Sequence, residues 1–212
     1  MHLFSRQTRL TGGRTREAMT WAATITEKVN QTTGLGVGLW SRSYSPGFGT
    51  LAWSMFIPDL ATLEAAGDKL QVDDAYIDLT DQGAAFTDDA LDDQLSVVVH
   101  GDPDPERPLE YVSVVRAVCA AGHAVSGMTV GIEIAQLAEQ ITGLPTMFVA
   151  DSTGSYGGVG WLTGYENIGK LEAAQTALAE AVNFAELLDT KANGCYVEDA
   201  TLTQQLIYRR LV

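Results

Sequence analysis

Across 212 residues the chain carries 27 acidic and 13 basic side chains, a formal net charge of −14 at pH 7. A field of that sign repels phosphate backbones and anionic membrane surfaces, and no Lys/Arg cluster offsets it, so neither nucleic acid nor a membrane is expected as partner. With 46% hydrophobic and 19% charged residues the composition is globular. No apolar run reaches the roughly 18 residues of a membrane span, and MHLFSRQTRL lacks the apolar core of a secretion signal; a cytoplasmic protein is expected.

Taken from the N-terminus, HLFSRQTRL reads as a strand. Ala18, Trp21, Ala22, Ile25 and Val29 then recur at the i, i+3/4, i+7 spacing of an amphipathic helix. Thr33-Gly34 should end it, because glycine accepts the left-handed conformation beyond the last turn. GVGLWSRSYS and GTLAWSMFI follow as two strands joined through the Gly-rich SPGFG, a hairpin. Asp59 is placed to cap a second helix carrying Leu60, Leu63 and Leu70. The acidic run 68–93 holds nine aspartates without the glycine and glutamate positions of a calcium-binding loop, and reads as a solvated helix and loop. QLSVVVH closes this part as a strand, and the three prolines of GDPDPERP, 101–108, mark a linker.

The order then starts again. YVSVVRAVCA is a strand, and Val130, Ile134, Leu137 and Ile141 mark a helix ended by Thr142-Gly143. PTMFVADSTG and GVGWLTGY form a hairpin around GSYGG, Asn167 caps a helix with Ile168, Leu171 and Leu178, and QQLIYRRLV is the last strand. Landmarks recur at a nearly constant offset. Thr33-Gly34-Leu35 returns as Thr142-Gly143-Leu144 and Met19 as Met128, at 109. Trp53 returns as Trp161, and Leu63-Glu64-Ala65-Ala66 as Leu171-Glu172-Ala173-Ala174, at 108; Arg6 returns as Arg116 and Gly12 as Gly122, at 110. Six landmarks in the same order indicate a tandem duplication with a domain-sized repeat. The chain is therefore expected to be α+β, with repeats at 1–100 and 109–212 flanking the Pro-rich linker 101–108. Each repeat reads β-α-β-β-α-β, the ferredoxin-like order.

Two such units in one chain resemble the dimeric α+β barrel superfamily in its fused, tandem form. The resemblance implies that the antiparallel sheets of the two repeats pack as a barrel with the helices outside, each covering the sheet face the other leaves bare. That superfamily includes cofactor-independent monooxygenases, muconolactone-isomerase-like enzymes, haem-binding chlorite-dismutase-like proteins and non-catalytic stress proteins, and fold does not choose among them. Neither His100 nor His123 falls on the helix where the haem branch would place its axial ligand, so no haem is expected. Nor is a metal or other cofactor, since His2, His100 and His123 lack ligand spacing and Cys119 and Cys195 read as reduced thiols.

Arg6 and Arg116 match on the first strand of each repeat. An arginine among apolar neighbours needs a carboxylate or an anionic ligand, so this pair is read either as structural salt bridges or as an anion-recognising pair. Trp53 and Trp161 match on the third strand, as core or as walls of an apolar cavity. On the second strand the first repeat has Arg42 and Ser43 where the second has Asp151 and Ser152. With Tyr156 in the next turn and His123 elsewhere, the second repeat holds the types needed for proton transfer. The catalytic candidates are therefore His123, Asp151 and Tyr156, and the ligand-binding candidates Arg6, Arg116, Trp53, Trp161 and Ser152. ADSTGSYGG equally reads as a hairpin whose Asp and Ser bond their own backbone, and there is no GxSxG elbow. The glycines of TGLGVGLW enter a strand instead of opening a helix, and cradle no phosphate.

Two functions follow. The first is a small-molecule-binding protein or cofactor-independent enzyme of the monooxygenase or isomerase kind, holding a small apolar or anionic molecule in a barrel cavity. The second is a non-catalytic assembly subunit that forms homo-oligomers or binds a protein partner, for which the apolar pairs Val97/Val99 and Ile207/Leu211 speak.

Overall fold

A computed structural model describes residues 1–88, 91–104 and 107–212; Asp89 of the acidic run and Pro105 and Glu106 of the linker lie outside the described residues. The elements run β1 (His2–Arg9), α1 (Thr15–Thr33), β2 (Gly38–Ser43), β3 (Thr50–Ile57), α2 (Leu60–Gln71), α3 (Asp74–Gly83) and β4 (Asp92–His100). They continue as β5 (Tyr111–Val118), α4 (Ala124–Thr142), β6 (Thr146–Asp151), β7 (Gly158–Tyr165), α5 (Ile168–Glu180), α6 (Val182–Leu187), a π-helical turn (Leu188–Ala192) and β8 (Gln204–Arg210). The fold is α+β, and every strand and both long helices lie where the periodicity placed them. The added elements are α6 and its π turn, in a stretch too short to show a helical stripe.

The chain forms two compact units: Met1–Leu95 with Arg209–Val212, and Ser96–Tyr208. In the first unit β3 is the middle strand, antiparallel to β1 on one side and β2 on the other. The C-terminal residues pair with β2, Leu39 N–H donating to Val212 and Leu211 N–H to Leu39. In the second unit β7 lies between β5 and β6, and β6 also pairs with the end of β4, all antiparallel.

Local chemistry explains why the long helices end alike. Gly34 (φ 75°) and Gly143 (φ 68°) take the left-handed cap position, and their N–H groups donate back to Asn30 and Glu139 carbonyls. The side chains of those same two residues then steer the chain into the next strand: Asn30 Oδ1 accepts from Val37 N–H at 2.8 Å, and Glu139 Oε1 from Thr146 N–H at 2.9 Å. Asp59 and Asn167 cap α2 and α5 as expected, accepting from Thr62 and Lys170 N–H. In each unit the helices cover one sheet face, burying Trp21, Leu39, Leu51 and Trp53 in the first and Ile134, Phe148, Val159 and Trp161 in the second.

A candidate ligand cavity in the first unit

Between the sheet of the first unit and its three helices lies a cavity of about 600 Å³. Phe4, Arg6, Trp53 and Met55 form its floor on β1 and β3; Trp21, Ile25 and Val29 of α1, Leu63, Ala66 and Leu70 of α2, and Tyr76, Thr80 and Gly83 of α3 form its walls. The volume falls in the range of small-molecule sites, and the lining is mostly apolar with few polar groups, as such sites require.

The two tryptophans meet edge to face, centroids 5.9 Å apart. Both indole N–H groups are already bonded to the protein: Trp21 Nε1 donates to the Leu79 carbonyl and Trp53 Nε1 to Thr26 Oγ1, each at 2.7 Å. What they offer the cavity is aromatic surface. Gly83 lets α3 approach Trp21, since a Cβ there would stand 2.5 Å from the ring.

The charged corner is the pair Arg6–Asp93. Arg6 Nε and Nη2 donate to the two Asp93 oxygens at 2.7 Å each, a fork-to-fork geometry. These bonds outweigh the cost of burial and, with Tyr76 close by, hold the Arg6 guanidinium above its ordinary pKa. Arg6 stands opposite Trp53 in the β1–β3 register, on the face that the helices cover.

The second unit answers the same plan differently. Phe148 pairs with Trp161 as Leu39 pairs with Trp53, but its larger ring stacks on the indole at 5.1 Å. Counted from the capping glycines, Gly131 of α4 stands where α1 has Ala22, and a Cβ there would lie 2.2 Å from the Phe148 ring. Trp161 Nε1 donates to the Gly131 carbonyl at 2.8 Å. Tyr196 closes the other side, edge to face with Trp161 at 5.5 Å and donating to the Gly127 carbonyl at 2.6 Å; burial holds its phenol far above the ordinary tyrosine pKa.

Of the ligand-binding candidates, Arg6 and Trp53 line the cavity, while Trp161 is packed in the filled core of the second unit. The expected equivalence of Arg6 and Arg116 is corrected by the register: Trp53 faces Arg6, but Trp161 faces Val115, and Arg116 faces Gly160. By register the equivalent of Arg6 is Val115, one residue before Arg116, and one residue along a strand turns a side chain to the other face. Arg116 instead donates from Nη2 to Asp151 Oδ2 at 3.1 Å, and Ser96 Oγ donates to Asp151 Oδ1 at 2.8 Å. The matching polar contact of the first unit is Arg42 Nη2 to Gln7 Oε1, 2.8 Å. Ser152 lies exposed where the hairpin begins.

The catalytic candidates are not brought together. The Asp151 side chain is 4% exposed beside Arg116, whereas Tyr156 is fully exposed on the hairpin tip and His123 is exposed at the start of α4, near Ser126. Among the described residues no hydrogen bond or ion pair joins the three. The sequence reading missed Asp93, Tyr76 and the cavity role of Trp21. A signal for Asp93 was present: it alternates with Leu95, which packs on the core of the first unit, so Asp93 lies on the cavity side of β4 although its side chain is 45% exposed.

No family model matches the chain, and no curated protein matches it in sequence. Solved structures do match. A candidate monooxygenase from Fusobacterium nucleatum superposes with a TM-score of 0.72 at 10% identity, over 100% of this chain and 92% of that one. An anthrone oxidase-like protein gives 0.66 at 10% identity, over 100% and 92%. A haem-binding protein from Thermus thermophilus gives 0.55 at 13% identity, over 100% and 91%. At these identities the likeness shows a shared fold and singles out no family. The cavity lining holds neither histidine nor cysteine, and its side chains of a type that ligates haem iron are Tyr76 and Met55. Among the described residues no cluster of His, Cys, Asp or Glu could hold a metal ion, and no helix is long and apolar enough to cross a membrane.

Proposed function

We propose that the protein binds a small, planar, largely apolar molecule in the cavity of the first unit and oxidises it with molecular oxygen. The observation that carries this reading is the cavity itself, about 600 Å³ walled by Trp21 and Trp53 with Arg6 and Asp93 at one corner. The names of the Fusobacterium nucleatum protein and the anthrone oxidase-like protein support the choice of chemistry. An anthrone-type ring supplies its own electrons. Its central methylene is oxidised to a carbonyl by O2, one oxygen atom staying on carbon and the other leaving as water with the two methylene hydrogens. The chain's part is to exclude water with its apolar walls, hold the ring against the two indoles, and set Asp93 and Arg6 where a proton leaves and negative charge develops.

The test is oxygen uptake with anthrone above the uncatalysed background. The expected outcome is one O2 consumed per anthraquinone formed, quenching of tryptophan emission on binding, and a rate at least about tenfold lower in Arg6→Gln. Background uptake together with unquenched emission would remove the reading. Assembly is the second reading: Val97 and Val99, two apart on β4 and each more than a third exposed, form an apolar strip suited to another protein surface.

A further inference from the structure

The charged corner suggests more about the ligand than its shape, on the reading that the first unit's cavity is the binding site. We propose that the cavity selects an uncharged planar molecule presenting a hydrogen-bond donor and an acceptor side by side, and rejects an anion of the same shape.

Most polar groups of the lining already have partners within the protein. Thr33, Thr80 and Thr87 line the cavity, but each hydroxyl donates to a carbonyl of its own segment: Val29, Tyr76 and Gly83. Both indole N–H groups are bonded as well. Gln71 and Tyr76, the latter beside Arg6, also line the cavity, but the charges sit on Arg6 and Asp93, and recognition falls chiefly to that pair.

A lone arginine in an apolar pocket would call for an anion, which is the expectation its sequence context raises. Here that charge is matched within the protein. Both Asp93 oxygens are held by Arg6, so the corner carries a positive and a negative group with no net charge. The guanidinium has five N–H groups, gives two to Asp93 and has Tyr76 beside it as a further partner; the carboxylate has about four acceptor positions and receives two bonds there. Donors and acceptors thus remain next to each other, facing the same space. A carbonyl can take an Arg6 N–H while a neighbouring N–H or O–H of the same molecule donates to Asp93. A carboxylate of equal size satisfies Arg6 but sets its second oxygen against Asp93, and loses part of its hydration to do so, the Arg6 and Asp93 side chains being 34% and 45% exposed. The net charge of −14 works in the same direction.

2-Naphthamide and 2-naphthoate have nearly the same outline and differ in this property. Each is titrated into the intact chain at pH 7, with affinity read by calorimetry and tryptophan emission. The wild-type protein is expected to bind the amide at least about tenfold more tightly than the carboxylate. Asp93→Asn leaves Arg6 unmatched and is expected to reverse the preference; Arg6→Gln is expected to weaken both ligands. Equal or tighter naphthoate binding by the wild-type protein overturns the proposal, as does an unchanged preference in a folded Asp93→Asn. Binding of both ligands without preference removes this inference alone. Failure of both to bind removes the cavity reading, and the inference with it. The wild-type ratio decides the matter even if a variant does not fold.

Discussion

Trp53 and Trp161 hold the same place on the same strand of two units with the same element order, yet one borders a hollow and the other lies in a filled core. The difference comes down to a few neighbours. Opposite the indole stands Leu39 in one unit and Phe148 in the other, and the helix above yields with a glycine where the ring is larger. The last contact comes from Tyr196 in the filled unit and from Trp21 in the hollow one. A protein interior packs to nearly crystalline density, so a void of this size forfeits attractive contacts that the filled unit keeps. One unit thus commits its side chains to cohesion, while the other leaves aromatic surface and a charged pair facing a cavity.

The largest effect is expected from hollowing out the second unit. Phe148→Ala removes a ring with no exposed surface and is expected to cost about 3–5 kcal/mol, read as a lower denaturation midpoint. Next comes overpacking. Gly131→Ala drives a methyl group into the same ring and is expected to cost about 1–3 kcal/mol. Adding Phe148→Leu should recover part of that loss, because the double variant restores the Ala/Leu pairing of the first unit.

The smallest effect concerns how each unit holds its extra helix. In the second, α6 has no side-chain cap and is held by packing, with Leu187 buried. In the first, α3 is pinned by charge: Asp73 caps it at Tyr76 N–H, accepts from Thr32 Oγ1 at 2.9 Å and pairs with Lys28 Nζ at 2.6 Å. The bond from Lys28 is the main cause holding the Asp73 carboxyl below its ordinary value. Because the folded value is the lower one, this contribution is present above the ordinary aspartate range and is lost as pH falls through the lowered value. Acid should therefore raise amide exchange in α3 before α6, and Asp73→Asn should abolish that difference in onset.

Much of the fold was legible because each element carries its own punctuation. Gly34, Gly143, Asp59 and Asn167 act at helix ends through local bonds that need no tertiary partner. The cavity was only half legible. Arg6 and Trp53 stood out by residue type, but the space before them depends on the bulk of Leu39 against Phe148, and volume left unfilled has no pattern in one dimension. Arg116 shows the other limit. Its match to Arg6 was read from spacing alone, and a slip of one residue, trivial in a helix or loop, puts a strand side chain on the opposite face. Asp93 was hidden by company, one aspartate among nine.

The return of Arg209–Val212 to the first unit also bears on the order in which the chain can finish folding during synthesis. On a ribosome adding roughly 5–20 residues per second, the whole second unit must be made before Leu211 and Val212 emerge to bond Leu39, a wait on the order of ten seconds. Until then β2 keeps an open hydrogen-bonding edge beside apolar side chains, the kind of surface on which nascent chains misassociate. The hollow unit is translated first and completed last.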